Sequence, residues 1–576
     1  MAILRRLRTF AICVGALVVI ASAAVLPASA DGVSPTCVAL TTDPANGIIS
    51  NPAIKSATSV IVPASGPNVA YCKVSLLYGT NPDQNINIVV GLPLSNTDGG
   101  SGGVQGAWNG RTQGLGGGGC AGNLTVTPAV NAGYVGSGTN LGHSGGDCTP
   151  GVNPDGTYNL QFIEDFIRNA IKQQVLWSKL ITKAYYSMRP EFNYWNGCST
   201  GGRQGLLLAQ ELPDELDGIL ADAPAMYWTR FQTAQMWGQI VMKDLVGGPI
   251  AKPKLDQARA SAIAACDAND GVVDGIIDDP RKCHFSAKSN ICGRPGAPAT
   301  NCVTDQEAEA IDLIWDGPRN ADGDKIWFGL DRGTDFTGPF PGFGLDGSIP
   351  FFLGVIQFQW DEHDLNFNWE TVPESGYPQV AQDGSRNIAD VTDTFGPLDE
   401  FKRHGGKMIT SVGANDQLIF PRGVINYYRE MAARYSDDGD IPDFDNLQRF
   451  YRLFRAPGVG HCGSDDVGAW PQNGADFQAL INWVEKDIPP SQIVGATAPG
   501  VTPALTRPLC PYPQTAIYNG TGDTNNAANY VCGGNLETHH TVCADVLVKY
   551  KHEVNGPLDY KGTGVGPEIC ERRGPP

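Results

Sequence analysis

Residues 194–203 decide the fold, and they read Tyr194-Trp195-Asn196-Gly197-Cys198-Ser199-Thr200-Gly201-Gly202-Arg203. A strand-like run from Phe192 to Trp195 leads into this stretch, and an apolar run typical of a helix, Arg203 to Leu212, follows it. A strand, a tight glycine turn and a helix are the context of a nucleophile elbow, which exposes the middle residue of Gly-x-Ser-x-Gly. The pattern therefore predicts Ser199 as a nucleophile, and an ordinary strand-to-helix turn is the alternative interpretation.

The Gly-x-Ser-x-Gly pattern occurs a second time, at Gly142-His143-Ser144-Gly145-Gly146. This match lies in a glycine-rich loop, and no apolar run typical of a helix follows it. Because an elbow needs a helix directly after the turn, Ser144 is predicted to be a loop residue.

Residues 1–30 are predicted to be a secretory signal peptide. Three arginines precede an apolar run from Phe10 to Leu26, and Ala28-Ser29-Ala30 fits a small-residue cleavage site. A membrane anchor is the alternative interpretation, but this run is short for a transmembrane helix. We therefore expect a secreted or periplasmic protein that is cleaved near Ala30 and has no later contact with a membrane.

The net charge argues against some classes of binding partner, and the cysteine content indicates the redox state of the compartment. The formal net charge is −19, which argues against nucleic acid and anionic membranes as partners. One of the 15 cysteines lies in the predicted signal peptide, so an even number remains in the mature chain. In an exported protein an even number of cysteines favours disulfides, and the CxxC spacing typical of zinc sites is absent from the sequence.

The order of strand-like and helix-like runs predicts an α/β-hydrolase fold with a large inserted lid domain. Residues 31–110 are rich in strand-like β-branched runs, and apolar residues at helical spacing predict an amphipathic helix over residues 159–187. The elbow and a further buried strand follow this helix, and such alternation indicates βα units on a parallel sheet. Residues 31–225 are therefore predicted to be the first part of a catalytic domain. Residues 226–395 are rich in Trp, Phe, Gly and Asp and show few such units, so they are predicted to be the insertion. The alternating pattern returns over residues 396–532, and a polar tail, residues 533–576, follows.

A nucleophilic serine needs a general base, and the base needs an orienting acid. Asp416 follows a predicted strand, Lys407 to Val412, and His461 follows another, Phe450 to Phe454. In α/β-hydrolases the catalytic residues come in the chain order Ser, Asp, His on loops after strands. This order predicts Ser199, Asp416 and His461 as a catalytic triad, and a structural loop histidine is the alternative for His461.

Cysteines stand beside two of these residues, because Cys198 precedes Ser199 and Cys462 follows His461. A bond between them would join the elbow to the histidine loop and would hold the nucleophile and the base within reach of each other. A thiol nucleophile at Cys198 is the weaker interpretation, since the elbow exposes the middle residue.

A glycine run, Gly116-Gly117-Gly118-Gly119-Cys120, follows the stretch Trp108-Asn109-Gly110-Arg111. Glycines after a strand let backbone N–H groups approach a ligand closely, so this run could supply half of an oxyanion hole. A flexible loop is the alternative interpretation, and the glycines alone favour it slightly.

Together these motifs resemble the tannase and feruloyl esterase family of secreted α/β-hydrolases, over most of residues 55–532. The resemblance implies a disulfide between Cys198 and Cys462 and a Ser-His-Asp esterase mechanism. It implies that the N–H group of Thr200, with one from Gly117 or Gly118, stabilises the oxyanion. The same family contains monohydroxyethyl-terephthalate hydrolases. The motifs that carry the resemblance are Trp108-Asn109-Gly110-Arg111 with the glycine run, Gly197-Cys198-Ser199-Thr200-Gly201-Gly202-Arg203, Asp416, His461-Cys462 and Arg507-Pro508-Leu509-Cys510-Pro511-Tyr512-Pro513.

The stretch Asp267-Ala268-Asn269-Asp270-Gly271-Val272-Val273-Asp274-Gly275-Ile276 concentrates carboxylates on a glycine-bearing loop. Oxygen ligands at this density suit calcium, although the spacing is not that of an EF-hand, and a solvated acidic turn is the alternative. The resemblance implies a structural calcium in the insertion. Its implied ligands are the side chains of Asp267, Asp270 and Asp274 and the carbonyl groups of Val272 and Ile276.

The sequence thus predicts a secreted serine carboxylesterase that hydrolyses small esters of aromatic acids, hydroxybenzoic or hydroxycinnamic, through an acyl-enzyme. Hydrolysis of terephthalate or phthalate monoesters is the alternative activity, and an inactive hydrolase-fold binding protein is the alternative class. Aromatic side chains of the insertion could stack on a substrate ring or form the core of the insertion. These side chains are Trp228, Trp237, Trp315, Phe352 and Trp360. The sequence carries no signal for oligomeric state.

Overall fold

The described part of the chain covers the predicted catalytic domain and most of the predicted insertion. The computed structural model describes residues 34–337, 352–388, 392–394, 396–436, 442–464 and 467–537. The predicted signal peptide and all but the first residues of the predicted tail lie outside these residues. Within the described residues, no helix has both the length and the apolar character needed to cross a membrane.

Nine strands of the described chain form one large sheet, and four more form two short antiparallel pairs. The strands are β1 (Ile54–Val62), β2 (Tyr71–Tyr78), β3 (Ile86–Pro93), β4 (Arg111–Leu115), β5 (Val135–Thr139), β6 (Phe192–Cys198), β7 (Gly218–Asp222), β8 (Lys407–Gly413), β9 (Tyr451–Ala456), β10 (Ile493–Ala496), β11 (Thr506–Leu509), β12 (Thr515–Tyr518) and β13 (Tyr530–Gly533). In the large sheet they lie in the order β1-β2-β3-β5-β4-β6-β7-β8-β9.

The sheet changes from antiparallel to parallel pairing at β5. Strands β1, β2, β3 and β5 pair antiparallel, whereas β4 pairs parallel with both β5 and β6, and the strands from β6 to β9 continue in parallel. Strands β6, β7 and β8 are largely buried, as expected for parallel strands that helices cover on both faces. This topology, with a tight turn and a helix after β6, is the α/β-hydrolase fold that the sequence predicts.

Helices cover the sheet and follow the predicted apolar periodicity. They are α1 (Ala39–Thr42), α2 (Thr127–Asn131), α3 (Leu160–Glu164), α4 (Ala170–Tyr186), α5 (Thr200–Glu211), α6 (Trp228–Ala234), α7 (Trp237–Val246), α8 (Lys252–Cys266), α9 (Asp305–Asp316), α10 (Phe352–Asp361), α11 (Tyr377–Asn387), α12 (Asp399–Arg403), α13 (Pro421–Arg434), α14 (Phe444–Leu447) and α15 (Ala475–Lys486). The amphipathic helix predicted over residues 159–187 is present as α3 and α4, joined by the π-helical turn Asp165–Asn169. Helix α5 packs on β6 and β7, and α15 packs on β7 and β8.

Between β7 and β8 the described residues form helices α6 to α12 and no strand. Four aromatic side chains of this region are at most 4% exposed and belong to the main hydrophobic core, so they are not a free aromatic surface. They are Trp228, Trp237, Trp315 and Trp360. The side chain of Phe352 lies outside the described residues.

Disulfides join twelve cysteines of the described chain, in agreement with the expectation from the even cysteine number. Five pairs are separated by 10 to 35 residues in sequence, and one is separated by 264 residues. The pairs are Cys37–Cys72, Cys120–Cys148, Cys198–Cys462, Cys266–Cys283, Cys292–Cys302 and Cys510–Cys532. Cys543 and Cys570 lie outside the described residues.

Candidate active site

Ser199 occupies the turn between β6 and α5, with φ 64° and ψ −125°. A non-glycine residue at positive φ carries backbone strain, as in a nucleophile elbow. Glycines make this turn possible, because a Cβ atom at Gly197 would lie 2.5 Å from Gly201, and one at Gly202 would lie 2.3 Å from the carbonyl oxygen of Asp222. The Ser199 N–H group donates to the same Asp222 oxygen at 2.9 Å, which ties the turn to β7.

The second Gly-x-Ser-x-Gly match lies in a loop between β5 and α3, and Ser144 is exposed there. No helix starts at this loop in the way that α5 starts after Ser199. The structure therefore places Ser144 in a loop, as predicted. In the same motif the His143 ring nitrogens face the carbonyl oxygens of Leu141 and Cys120, and the Gly142 N–H group donates to the Asn140 side chain.

Asp416 and His461 form a buried acid–imidazole pair on the loops after β8 and β9. The Oδ2 atom of Asp416 lies 2.8 Å from the Nδ1 atom of His461, and Asp416 is only 1% exposed. The Oδ1 atom of Asp416 accepts the N–H groups of Leu418 and Ile419, each at 2.9 Å. Because both oxygens are engaged, the carboxylate is fixed and holds the imidazole with its Nε2 atom facing away from Asp416.

A disulfide between Cys198 and Cys462 connects this pair to the elbow. The sulfur of Cys462 lies 3.5 Å from the His461 Nε2 atom, and its partner Cys198 immediately precedes Ser199. Among the described residues Ser199 Oγ makes no hydrogen bond to His461, so the covalent link is the contact that joins the two loops. The structure thus brings the three residues predicted as a triad to the same edge of the sheet.

The glycine run lies beside the elbow, but two of its N–H groups already have partners. The Gly117 N–H group donates to the side-chain oxygen of Gln204 at 3.0 Å, and the Gly118 N–H group donates to the carbonyl oxygen of Ala121 at 3.0 Å. A donor used inside the protein cannot also stabilise a substrate oxyanion. The structure therefore does not support Gly117 or Gly118 as the second oxyanion donor.

Gly119 replaces them as the candidate donor. The Thr200 hydroxyl donates to the Gly119 carbonyl at 2.7 Å, which places this residue against the first residue of α5. The N–H groups of Thr200 and Gly119 have no hydrogen-bond partner within the described part of the chain. In four consecutive glycines the sequence gives no sign of which N–H groups are used internally, so the shift by one residue was not predictable.

A pair of buried carboxyl groups, Asp222 and Asp476, lies behind the elbow and was missed in the sequence. The parallel pairing of β7 with β8 ends at Leu220, and beyond it Asp222 Oδ1 accepts the Ser411 N–H group at 2.8 Å. Burial, and repulsion between the two carboxyl groups, raise the pKa of Asp222 well above its ordinary value, and burial raises the pKa of Asp476. The pair therefore holds a proton more tightly when the chain is folded than when it is unfolded.

We expect this pair to make the protein lose stability as the pH rises through the raised pKa of Asp222. A group whose pKa is raised by folding contributes stability that is complete at low pH and is lost as the pH passes through the raised pKa. Asp222→Asn should flatten this loss, because the amide keeps an acceptor for Ser411 and donates to Asp476 without titrating. Melting temperatures of both proteins between pH 4 and pH 10 test this; the exposed Asp487→Asn is the control. Parallel curves for Asp222→Asn and the parent would contradict it.

The acidic loop, residues 267–276, is a compact turn in which carboxylates accept the N–H groups of the loop itself. Asp267 accepts from Asp274 at 3.1 Å and from Gly275 at 3.0 Å. Val272 and Ile276 are each 5% exposed, and their carbonyl oxygens accept no hydrogen bond from the described residues. Buried carbonyl groups normally have a partner, so these two oxygens are available to a cation.

Arg507 lies against this loop and forms an ion pair with Asp274. Burial raises the pKa of Asp274 to about 6, although the charge of Arg507 lowers it. In the part of the chain that the structure describes, no group of three or more His, Cys, Asp or Glu side chains is spaced to hold a metal ion. The residues that fit calcium best are thus the two carbonyl groups, with Asp267 and Asp270 beside them.

Comparison with known proteins gives the family. The family model described as tannase and feruloyl esterase matches residues 104–533. A probable feruloyl esterase of Arthroderma benhamiae is 34% identical over 455 residues, which cover 75% of this chain and 82% of that protein. An uncharacterized esterase of Xanthomonas campestris is 32% identical over 411 residues, which cover 65% of this chain and 70% of that protein.

Solved structures show the same architecture. Tannin acyl hydrolase from Aspergillus niger has a TM-score of 0.72 at 24% identity, covering 88% of this chain and 97% of that one. Feruloyl esterase B from Aspergillus oryzae has a TM-score of 0.69 at 23% identity, covering 83% of this chain and 96% of that one. At these identities the likeness concerns the fold alone.

The sheet topology, the strained serine turn and the acid–histidine pair define a hydrolase of the α/β-hydrolase class. The chain belongs to the tannase and feruloyl esterase family, as the sequence motifs predict. It is a carboxylic ester hydrolase.

Proposed function

We propose that the protein is an exported serine esterase that hydrolyses esters of aromatic hydroxy acids with Ser199, His461 and Asp416. The observation that carries the proposal is the Asp416–His461 pair, because its neighbour Cys462 is covalently bound to the residue before Ser199. An inert fold would have no need for a strained serine, a buried acid and a tethered imidazole at one sheet edge.

In this mechanism Ser199 Oγ attacks the ester carbonyl while His461 Nε2 takes its proton. Asp416 keeps the Nδ1–H tautomer in place and stabilises the imidazolium that forms. His461 then returns the proton to the leaving alcohol, which leaves an acyl-enzyme on Ser199. A water molecule, deprotonated by the same His461, hydrolyses the acyl-enzyme and releases the acid.

Two backbone N–H groups stabilise the negative oxygen in both steps. Thr200 supplies the first, because it opens helix α5 directly after the nucleophile and its N–H has no acceptor within the helix. Gly119 supplies the second from the glycine run. Donors of this kind each contribute about 10²–10³ in rate, because they are already oriented when the charge develops.

The substrate class comes from the relatives, whose names specify feruloyl esters and tannins. Hydrolysis rates should be measured on methyl gallate, methyl ferulate, a terephthalate monoester and an aliphatic butyrate ester of matched alcohol. We expect the gallate or ferulate ester to be the best substrate. If the terephthalate monoester is the best substrate, the proposed class of acid is wrong. If no ester is hydrolysed and Ser199 is not covalently labelled by a serine-directed inhibitor, the inactive binding protein is favoured instead.

Export is part of the proposal. Residues 1–30 act as the signal peptide, and cleavage near Ala30 releases the mature chain. Disulfides form and persist in oxidising compartments, so the six pairs support a protein that works outside the cytoplasm.

We further propose that the acidic loop, residues 267–276, binds a structural calcium ion. Its ligands would be the carbonyl oxygens of Val272 and Ile276 and the side chains of Asp267 and Asp270. The Asp274 side chain, which the family resemblance also implies, forms an ion pair with Arg507. The buried carbonyl groups without donors support this proposal, since an oxygen-rich loop is the kind of site that calcium selects. The ion would hold the loop in place and would take no part in the chemistry.

We expect a chelator to lower the melting temperature by at least about 5 °C, because a ligand that binds only the folded state stabilises it. The initial rate at low temperature should change little, since the loop is not part of the proposed triad. Calorimetry with and without chelator measures the first effect. Asp270→Asn should abolish the response, whereas the exposed Asp322→Asn should keep it. Purified active enzyme without bound calcium would rule the site out.

A further inference from the structure

We propose that His143 is a positioning residue for the turn that carries the Gly119 N–H group, a role that rests on the esterase mechanism proposed above. His143 belongs to the second Gly-x-Ser-x-Gly match, whose serine takes no part in that mechanism. Its imidazole binds the carbonyl group at the tip of this turn and so fixes half of the oxyanion hole.

The glycine run ends in a two-residue turn with Gly119 and Cys120 at its tip. Gly118 and Ala121 close the turn by exchanging two backbone hydrogen bonds, of 3.0 Å and 2.9 Å. Gly119 has φ 56°, the left-handed region that tight two-residue turns require at this position. The N–H groups of the tip residues are therefore not used to close the turn, and the one from Gly119 is available to a substrate.

The imidazole of His143 binds the tip through a short hydrogen bond. Its Nε2 atom lies 2.6 Å from the carbonyl oxygen of Cys120. A carbonyl oxygen can only accept, so Nε2 carries the proton and donates. The same peptide group is held at its other end, because the N–H group of Ala121 donates to Gly118. Rotation of this peptide group, which would reorient the tip, is thus blocked from both sides.

The ring itself is held in one orientation. Its centroid lies 4.8 Å from that of Phe162 and 6.0 Å from that of Phe166, on the helical segment after the loop. The helical segment thus fixes the position of the His143 ring, and the ring in turn fixes the position of the turn.

Two other contacts hold the same tip. The turn should therefore still form without His143, but its orientation should be less well fixed. The Thr200 hydroxyl binds the Gly119 carbonyl at 2.7 Å, and a disulfide joins Cys120 to Cys148. Loss of the imidazole leaves these anchors in place but frees the Cys120 carbonyl. A displacement of about 1 Å can cost on the order of a hundredfold in rate, whereas binding of the ground-state ester needs no oxyanion donor.

The test compares His143→Phe, which keeps an aromatic ring, with His143→Gln, which keeps an N–H donor. We expect His143→Phe to lower kcat by about 10- to 100-fold with little change in KM, and His143→Gln to recover most of that loss. Affinity for an arylboronic acid, which forms a tetrahedral anion on the serine, should fall in parallel, whereas affinity for the product acid should not. His363→Phe is the matched control, because among the described residues that ring packs on Tyr158 and faces the Gly156 carbonyl group but makes no hydrogen bond or ring contact with the turn.

All rates are measured below the melting temperature of each variant, so that unfolding does not contribute. Full activity of His143→Phe, or equal losses for the boronic acid and the product acid, would overturn the positioning role. A failure of the proposed mechanism can be told apart from a failure of the His143 role. If the mechanism is wrong, Ser199→Ala remains active, whatever the activity of the His143 variants. An inactive Ser199→Ala together with a fully active His143→Phe contradicts only the role of His143.

Discussion

Replacing Ser199 with alanine is expected to lower kcat/KM for ester hydrolysis by about four to six orders of magnitude. The alanine has no nucleophile for the carbonyl carbon, and the proposed His461 and Asp416 pair cannot replace it. The fold should survive, because the turn depends on Gly197, Gly201 and Gly202 rather than on the hydroxyl group. Near-parental circular dichroism and melting temperature, with hydrolysis close to background, are the expected measurements.

The second serine of the same pattern is the internal control. Ser144→Ala should leave both the rate and the melting temperature unchanged, because Ser144 is exposed in a loop. A serine-directed phosphonate should label the parent at Ser199, and labelling should disappear in Ser199→Ala only. Abolished turnover in Ser144→Ala, with an active Ser199→Ala, would show that the elbow is not the catalytic turn.

The second large effect is expected on removal of the Cys198–Cys462 disulfide. Changing both cysteines to serine frees the His461 loop, and a displacement of about 1 Å from the elbow costs on the order of a hundredfold in kcat. The bond also closes the longest loop in the described chain, 264 residues in sequence, which the chain-entropy treatment equates with about 5 kcal/mol of stability. The rate should therefore be compared at a low temperature at which the variant is measurably folded.

The matched control is the double replacement of Cys292 and Cys302, which are 10 residues apart in the insertion. That variant should lose stability, by about 3 kcal/mol at most, while kcat at low temperature stays near the parental value. Peptide mapping of the non-reduced parent checks the pairing directly. If the Cys198 and Cys462 double variant loses stability but keeps its rate per folded molecule, the bond is structural and does not position His461.

The sequence alone was enough to predict the serine turn, because only glycine fits at some of its positions. Only glycine fits at positions 197 and 202, because any Cβ atom there would overlap the backbone of Gly201 or Asp222. The glycines of the motif therefore indicate the tight turn directly. The positions of Asp416 and His461 were equally predictable. Each residue follows a predicted strand, and the loops after parallel strands lie at one edge of the sheet.

Other features depend on contacts that no local pattern records. The Gly117 N–H group is engaged by Gln204, 87 residues away in sequence, and no local sequence pattern indicates that hydrogen bond. Asp222 and Asp476 are far apart in sequence, and their contact follows from the packing of helix α15 on β7 and β8. The tryptophans of the insertion were ambiguous for the same reason, because burial follows from how helices pack rather than from residue type.

The spacing of the disulfides has a consequence for how the enzyme is made. Five pairs can close once a stretch of 10 to 35 residues has emerged, but Cys198 has to wait for 264 more residues. At about 5–20 residues per second that is on the order of 10–50 s with an unpaired thiol next to the proposed nucleophile. During this interval the newly made chain has its elbow but lacks the strand that carries the histidine loop. If the bond positions His461 as proposed, the chain can become active only after Cys462 has been made and has paired with Cys198.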